Sequence, residues 1–336
     1  MNLTQSISSD SNFPHYSEKA KWPWRQTTYI KHKYPRSKIL PKISIITPSY
    51  NQGGYIEECI RSVLLQDYPN LEYIIMDGGS TDGTREIIER YEPWIAYWES
   101  VPDRGQSHAI NKGLQKATGD WIAWLNTDDV YLENALTTIA STIIQSSESV
   151  SWIVGTTIFT DPDLHEITQF SPYLYTAPGR DVNYKPMGWI DFVCTKRSGI
   201  ALPQPSSFWR HDAVIQAGGI DETLRYAMDH ELYGRLAYHG FRPILIQQAL
   251  TCFRMHHEQK TANFPVVFWE EELDIVHKWI DQVDGTEKEK LKKYGIWLNR
   301  YIKTHPCRAS FYNLWSWLKR VLKFNWTKKS SKTERA

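Results

Sequence analysis

The sequence lacks several features that would place it in a special class of protein. Its four cysteines lie far apart with no CxxC pair, which argues against both a structural zinc site and a disulfide scaffold. No run approaches the ~18 consecutive apolar residues of a membrane span. The polar start MNLTQSISSD also lacks the order of a signal peptide. We therefore expect a protein of the reducing cytoplasm that neither spans a membrane nor is secreted.

The chain is also poor in net charge, but its charges are unevenly spread. Hydrophobic residues make up 41% and charged residues 23% of the 336 residues, which is enough apolar material for a large core. Residues 291–336 contain twelve Lys and Arg against one acid, a local net charge of +11, although the whole chain carries +1. A basic tail on an acidic body suggests an anionic partner for the tail.

Short apolar runs alternate with helical patterns after residue 41. The runs ISIIT (43–47), EYIIM (72–76) and WIAWL (121–125) have the composition of buried strands. Helices are predicted between them, over about 54–66 and 107–117, the second with Ser107 as N-cap. This alternation indicates an α/β fold with a parallel sheet covered on both faces. The polar residues 1–40 indicate an irregular arm.

Each apolar run ends in a cluster of polar, turn-forming residues: TPSYNQGG, DGGSTDGT and NTDD. Ligands of open α/β sheets bind beyond the carboxyl ends of the strands, so these clusters should converge on one site. They contain Asp77, Asp82, Asp128 and Asp129, and such oxygen ligands suit Mg²⁺ or Mn²⁺. Aspartates can also serve only as turn and cap residues, but four of them after successive strands favour a site.

Seven motifs in a fixed order carry a resemblance to a known family. They are TPSYNQ (47–52), DGGSTDGT (77–84), DRGQSHAINKG (103–113), LNTDD (125–129), QPSSFWR (204–210), GGIDETLRYAMDHELYGRL (218–236) and FRMHHEQKT (253–261). With them, residues 41–262 resemble the inverting family 2 glycosyltransferases. The resemblance implies a GT-A fold, a Rossmann-like, mostly parallel sheet flanked by helices. Residues 1–40 would then be an N-terminal arm and residues 263–336 a helical, basic C-terminal extension.

The resemblance also implies the reaction and its partners. The donor would be a nucleoside diphosphate sugar, with a UDP-sugar as the expected one. The acceptor would be a hydroxyl of a glycan or of a lipid-linked molecule, as in bacterial surface polysaccharide synthesis. Six matched residues would contact the nucleotide: Thr47, Pro48, Tyr50, Asp77, Arg104 and Asp128. Of these, Asp77 would hydrogen-bond the base, Arg104 would lie near the base or pyrophosphate, and Asp128 would lie near the ribose.

The metal ligands implied by the resemblance are Asp129 and His256, holding Mn²⁺ or Mg²⁺. Such an ion can stabilise the charge that grows on the departing diphosphate. A lone histidine is as often structural, so both readings of His256 stay open. Asn126 departs from the family pattern, because it replaces the first carboxylate often found in the DxD-type motif. The loss of that charge should lower metal affinity.

The acceptor hydroxyl needs a carboxylate that removes its proton as it attacks C1 of the sugar. Asp229 in AMDHEL matches the catalytic aspartate of the family, and Glu231 is the alternative base. If this segment opens a helix, side chains two positions apart face different directions. Only one of the two can then serve the acceptor, and we favour Asp229.

Two further segments allow more than one interpretation. Trp209 could stack on a sugar ring or pack in the core, whereas Trp121 and Trp124 are predicted to be core residues. Residues 311–326 predict an amphipathic helix with a basic rim, which would bind the anionic inner face of the cell membrane peripherally. Packing against the catalytic domain or a second subunit is the alternative, and nucleic acid is not expected.

A catalytically silent sugar-nucleotide or glycan binding module is the competing function. It would require loss of the metal or base positions, and both Asp129 and Asp229 are present. A dehydrogenase of the dinucleotide-binding class is disfavoured, because no GxGxxG follows the first strand.

Overall fold

The computed structural model describes residues 12–14, 40–147, 149–170, 173–174, 188–194, 200–260 and 266–304. The chain divides into two compact units, one ending at Arg254 and one beginning at Met255. The predicted helix over 311–326 and most of the predicted arm over 1–40 lie outside the described residues. The domain boundaries inferred from the sequence stay a prediction.

The first unit is built on a mixed sheet. Its strands are β1 (Ile43–Ser49), β2 (Leu71–Asp77), β3 (Tyr97–Ser100), β4 (Trp121–Trp124), β5 (Val130–Tyr131), β6 (Trp152–Thr160), β7 (Glu166–Phe170), β10 (Ser207–Arg210) and β11 (Ile244–Arg254). They are arranged in the order β3-β2-β1-β4-β10-β6-β11-β5, and β7 also pairs with β6. The four strands from β3 to β4 are parallel, whereas β10 runs antiparallel to both of its neighbours. A separate antiparallel pair contains β8 (Tyr173–Leu174) and β9 (Ile200–Ala201).

Helices follow the strands of this sheet as the alternating pattern predicts. They are α1 (Ile56–Leu64), α2 (Thr84–Tyr91), α3 (Gln106–Lys116), α4 (Ala135–Gln145), α5 (Trp189–Val193), α6 (His211–Gln216) and α7 (Met228–Tyr238). The prediction of Ser107 as a helix cap is wrong. Gly105, with φ of 112°, precedes the first helical residue, and Ser107 is buried in the first turn, where its Oγ donates to the Leu224 carbonyl at 2.8 Å.

The core lies where the parallel strands are covered on both faces. All seven residues of β1 are buried, as expected for a central strand that reads as one continuous apolar run. Trp121 and Trp124 are buried as predicted. Trp209 belongs to the core as well, because its side chain is fully buried and its ring stacks on Trp124 with 4.7 Å between the ring centroids.

The second unit contains two helices, α8 (Val266–Ile280) and α9 (Gly285–Thr304). They pack against each other at Gly295, where a Cβ would lie 3.4 Å from Val276 Cγ1, an ordinary van der Waals contact. Tyr294 Oη donates to Glu272 Oε2 at 3.4 Å between the same helices. The predicted helical extension is thus confirmed as far as Thr304.

Candidate active site

The loops after β1 and β2 are joined by hydrogen bonds into one rim. The Asn51 amide N–H donates to Ser80 Oγ at 2.7 Å, and Asn51 Oδ1 accepts from the Thr81 N–H at 3.0 Å. The Gly53 N–H donates to Asp82 Oδ2 at 2.8 Å. Glycine is required there, because a Cβ would come within 2.8 Å of the Asp82 carbonyl oxygen. These hydrogen bonds therefore fix the two loops relative to each other.

The loop after β4 and the start of α3 meet the same rim. Thr127 Oγ1 donates to the Pro48 carbonyl at 2.8 Å, which ties the β4 loop to the end of β1. Gln106 Nε2 donates to Asn126 Oδ1 at 2.7 Å, which ties the first residue of α3 to the β4 loop. The first four motifs of the sequence therefore converge on one edge of the sheet, as their positions after successive strands predict.

Asp77 is buried at the end of β2 and is surrounded by donors from the protein itself. Its Oδ2 accepts hydrogen bonds from the Ser80 N–H at 2.9 Å, the Gly79 N–H at 3.2 Å and Ser100 Oγ at 2.6 Å. Its Oδ1 accepts from Ser80 Oγ. The carboxylate therefore shapes the loop after β2, and its contact with a base stays a prediction.

Asp129 is equally buried but has few donors. Its Oδ1 accepts the Arg254 N–H at 3.1 Å, whereas its Oδ2 is buried and accepts no hydrogen bond from the described residues. Burial raises the pKa of Asp129 well above its usual range, and the nearby charge of Asp128 raises this pKa further. A buried carboxylate oxygen with no donor is costly unless a cation neutralises it.

The surroundings of Asp129 suit a divalent ion that takes only some of its ligands from the protein. Within the described ranges, no group of three or more His, Cys, Asp or Glu side chains is arranged to hold an ion. Mg²⁺ usually keeps one or two protein carboxylates and takes its other ligands from substrate phosphates and water. The buried Oδ2 of Asp129, which has no donor among the described residues, suits that kind of site.

Arg254, the last residue of β11, is a site residue that the sequence reasoning missed. Its guanidinium is buried, pairs with Glu58 Oε2 at 2.5 Å and lies 5.0 Å from the centre of the Tyr55 ring. Through its backbone N–H it also fixes Asp129. The signal in the sequence is the arginine that precedes the two histidines of FRMHH.

The two candidate bases differ sharply in their surroundings. Glu231 is buried in α7 and accepts two hydrogen bonds from Arg235 Nε, at 2.7 and 2.9 Å. Arg235 in turn donates to the Ala217 and Gly219 carbonyls, so Glu231 anchors the chain before α7. Asp229 is half-buried and makes no hydrogen bond or ion pair with the described residues. Its role as base stays a prediction, but only its carboxylate is open to an acceptor.

The other predicted residues are less uniform in exposure. The Thr47 side chain is buried, with Oγ1 3.1 Å from Tyr73 Oη, so only its backbone can line a pocket. Tyr50 is 62% exposed. Arg104 is exposed and pairs with Glu222 at 2.5 Å. His256 belongs to the second unit, is buried, and donates its backbone N–H to Gln259 Oε1 at 2.6 Å.

Part of the chain matches a known protein family. Residues 44–196 match the model described as Glycosyl transferase family 2. TuaG of Bacillus subtilis (strain 168), whose name assigns it to teichuronic acid biosynthesis, is 43% identical over 101 residues. The match covers 29% of this chain and 39% of TuaG, so the chain spans well under half of that relative's length.

Solved structures resemble the fold over most of the chain. Staphylococcus aureus TarS 1–349 has a TM-score of 0.55 at 20% identity, over 76% of this chain and 70% of that one. The mannosyltransferase PcManGT from Pyrobaculum calidifontis has a TM-score of 0.54 at 18% identity, over 81% and 73%. At these identities the likeness concerns the fold alone, and the predicted GT-A fold is confirmed.

Proposed function

The chain is a member of glycosyl transferase family 2, and we propose that it transfers a sugar from a nucleoside diphosphate sugar to a hydroxyl of a glycan or glycolipid. The transfer would depend on a divalent ion and invert the configuration at C1. One observation carries this proposal: Asp129 Oδ2 is buried without a hydrogen-bond donor among the described residues, at the edge where four loops meet. Such an oxygen is stabilised when a cation or a proton neutralises it, and a cation brought with the donor would do so.

On the donor side, the joined loops would receive the nucleotide. The backbone of Thr47 and Pro48 with Tyr50 would line the base and ribose pocket, Asp77 would face the base, and Asp128 the ribose. TarS 1–349 has been solved with UDP and with UDP-GlcNAc, and PcManGT with GDP-Man and Mn²⁺. These complexes support a nucleotide-sugar donor, and we take a UDP-sugar as the first candidate.

The leaving group needs positive charge near the pyrophosphate. Mn²⁺ or Mg²⁺, when bound, would stabilise the charge that develops on the diphosphate. Asp129 would hold the ion through Oδ2, and His256 is the further candidate ligand. Arg104 would lie close to the pyrophosphate or base. Asn126 keeps its side chain bonded to Gln106 and contributes no charge, so we expect weaker metal binding than a site with two carboxylates would have.

On the acceptor side, Asp229 would act as the base. Its carboxylate would take the proton of the acceptor hydroxyl while the hydroxyl oxygen attacks C1. The bond from C1 to the phosphate oxygen breaks on the opposite face, the nucleoside diphosphate leaves with the bonding electrons, and the new glycosidic bond has inverted configuration. Assembly of a bacterial surface polysaccharide is the setting we propose, supported by the name of TuaG.

A two-step experiment tests this function against the silent binding module. Thermal shift of the full chain with Mn²⁺ and UDP-, GDP- or dTDP-sugars should identify the donor, because a ligand at one hundred times its Kd adds ~2.7 kcal/mol of stability. Release of nucleoside diphosphate is then measured with and without candidate acceptors. Binding without any transfer or hydrolysis, over a broad acceptor set, would contradict the enzyme and favour the binding module.

A further inference from the structure

One side of α9 is basic and lies opposite the side that the helix buries. The buried side consists of Leu291, Tyr294, Gly295 and Leu298. The opposite side, which we call the basic face, consists of Lys292, Lys293, Ile296, Arg300 and Lys303, all exposed. At 3.6 residues per turn these five positions lie within about 100° of the helix circumference.

The charge of the basic face is almost entirely of one sign. Within the exposed arc of the described helix, the one acid is Glu289, which pairs with Lys292 Nζ at 3.0 Å. The neighbouring helix α8 differs, because its exposed residues include Glu270 and Asp274 beside Lys278. The basic character is therefore specific to α9. It continues in the sequence, where residues 305–336 contain eight more Lys and Arg against one acid.

Ile296 distinguishes this face from an ordinary solvated row of lysines. It lies in the middle of the basic face and is 72% exposed, and the half-exposed Trp297 borders it. A polyanion would pair with the cations and leave the isoleucine in water. An anionic bilayer surface pairs with the cations and also buries the apolar side chain below its headgroups.

We propose that the basic face of α9 docks the chain on anionic lipid headgroups. The contact is peripheral, since in the described part of the chain no helix has the length and apolar run needed to cross a bilayer. It is independent of the proposed reaction and of the predicted helix over 311–326. The cations set the attraction to negative lipid, and Ile296 adds insertion at the interface.

Vesicle co-sedimentation of the full chain tests the proposal. Wild type should pellet with phosphatidylglycerol-containing vesicles at low salt, be released in part at high salt, and not pellet with phosphatidylcholine alone. The test variant replaces Lys292, Lys293, Arg300 and Lys303 by Gln. Because each cation near anionic lipid contributes on the order of fivefold to binding, the loss of all four should weaken binding by roughly 600-fold.

A matched control removes the same number of exposed positive charges elsewhere, by replacing Arg85, Arg90, Lys116 and Lys278 with Gln. This control should bind vesicles like wild type. Equal losses in both variants would mean that overall charge, not the face, matters, and the proposal would be wrong. Wild-type binding by the test variant would be equally decisive, because other residues of the basic tail would then carry the contact.

The substitution Ile296→Ser separates a lipid from a polyanion. It should weaken vesicle binding by about tenfold and leave binding to heparin unchanged. Vesicle binding that is insensitive to Ile296→Ser would overturn the assignment to lipid and favour a polyanionic partner. Far-ultraviolet circular dichroism and the thermal midpoint, unchanged in every variant, show that the helices are intact.

Discussion

The two ends of the parallel half of the sheet differ in how they surround a carboxylate: Glu72 is half-buried, whereas Asp129 is fully buried. At the amino end, Glu72 of β2 accepts hydrogen bonds from Lys42 Nζ and Ser44 Oγ, both at 2.6 Å, and from the Thr118 N–H at 2.7 Å. Thr118 Oγ1 adds a fourth bond. Burial opposes the charged form, but these bonds outweigh it and lower the pKa of Glu72 to about 2.

At the carboxyl end, Asp129 is the reverse case. Its Oδ1 accepts the Arg254 N–H, and a side-chain hydrogen bond from Asn126 lowers its pKa, but its Oδ2 has no donor among the described residues. Burial nevertheless raises the pKa of Asp129 well above the usual range. Glu72 therefore stabilises the fold, whereas the burial of Asp129 costs stability unless a proton or a cation neutralises its carboxylate. This difference is what we expect between a carboxylate that ties strands together and one that would hold an ion.

The largest effect is expected from Asp229→Asn, which tests whether the Asp229 carboxylate is the base of the proposed reaction. The amide is nearly isosteric but cannot accept the acceptor's proton, so transfer should fall by about 10² to 10⁴. Nucleotide-sugar and Mn²⁺ binding, followed by thermal shift, should persist.

Glu231→Gln is the matched control, since its partner is Arg235: it should lose stability and keep its transfer rate. The opposite result would exchange the roles of the two residues.

Asp129→Asn tests the carboxyl end of the sheet directly. Losing the carboxylate that would hold the ion should lower transfer by about 10² or more and remove most of the response to Mn²⁺. The metal-free variant should unfold at the same denaturant concentration as wild type or at a higher one, because a buried charge has been removed. Turnover that Mn²⁺ still stimulates normally would exclude Asp129 as the ligand.

The sequence predicted the positions of these residues well, because strand ends are local features. The apolar runs, the turn clusters and the order of the motifs placed Asp77 and Asp129 at one edge, and the structure brings their loops together. Local spacing could not show that Asp77 and Asp129 differ in their hydrogen-bond donors. The donors that satisfy Asp77 come partly from Ser100, 23 residues away, and local spacing does not reveal such a contact.

Arg254 and Trp209 illustrate the same limit. Arg254 meets Glu58, which is 196 residues away in the chain, so neither residue stands out in its own segment. Trp209 belongs to the motif QPSSFWR, yet β10 pairs with β4 and the Trp209 ring stacks on Trp124 in the core. Tertiary pairing decides such roles, whereas helical geometry alone predicted that Asp229 and Glu231 cannot both face the acceptor.

The Glu58–Arg254 pair supports the end of β11 that positions Asp129, so breaking it should damage stability at the carboxyl end. Arg254→Met should lower the unfolding free energy by about 2–3 kcal/mol, less than the ~3–5 of a fully buried pair, because Glu58 keeps 20% of its side chain exposed. Urea unfolding measures the loss. Adding Glu58→Gln should recover part of it, and strictly additive losses would show that the two charges are not coupled.

Glu72→Gln should have the smallest effect and should act on stability alone. Hydrogen bonds to a charged group contribute about 1.5–3 kcal/mol, and the amide keeps some of them, so we expect a loss of about 1–2 kcal/mol at neutral pH with an unchanged transfer rate.

The pKa of Glu72 is lowered from 4.5 to about 2 in the folded protein. Its contribution is therefore complete above pH 4.5 and is lost as the pH falls toward 2. The difference in unfolding free energy between wild type and Glu72→Gln should shrink over that range in urea unfolding at a series of pH values. A difference that stays constant down to pH 2 would mean that the ionised carboxylate is not what joins β1, β2 and the residues before β4.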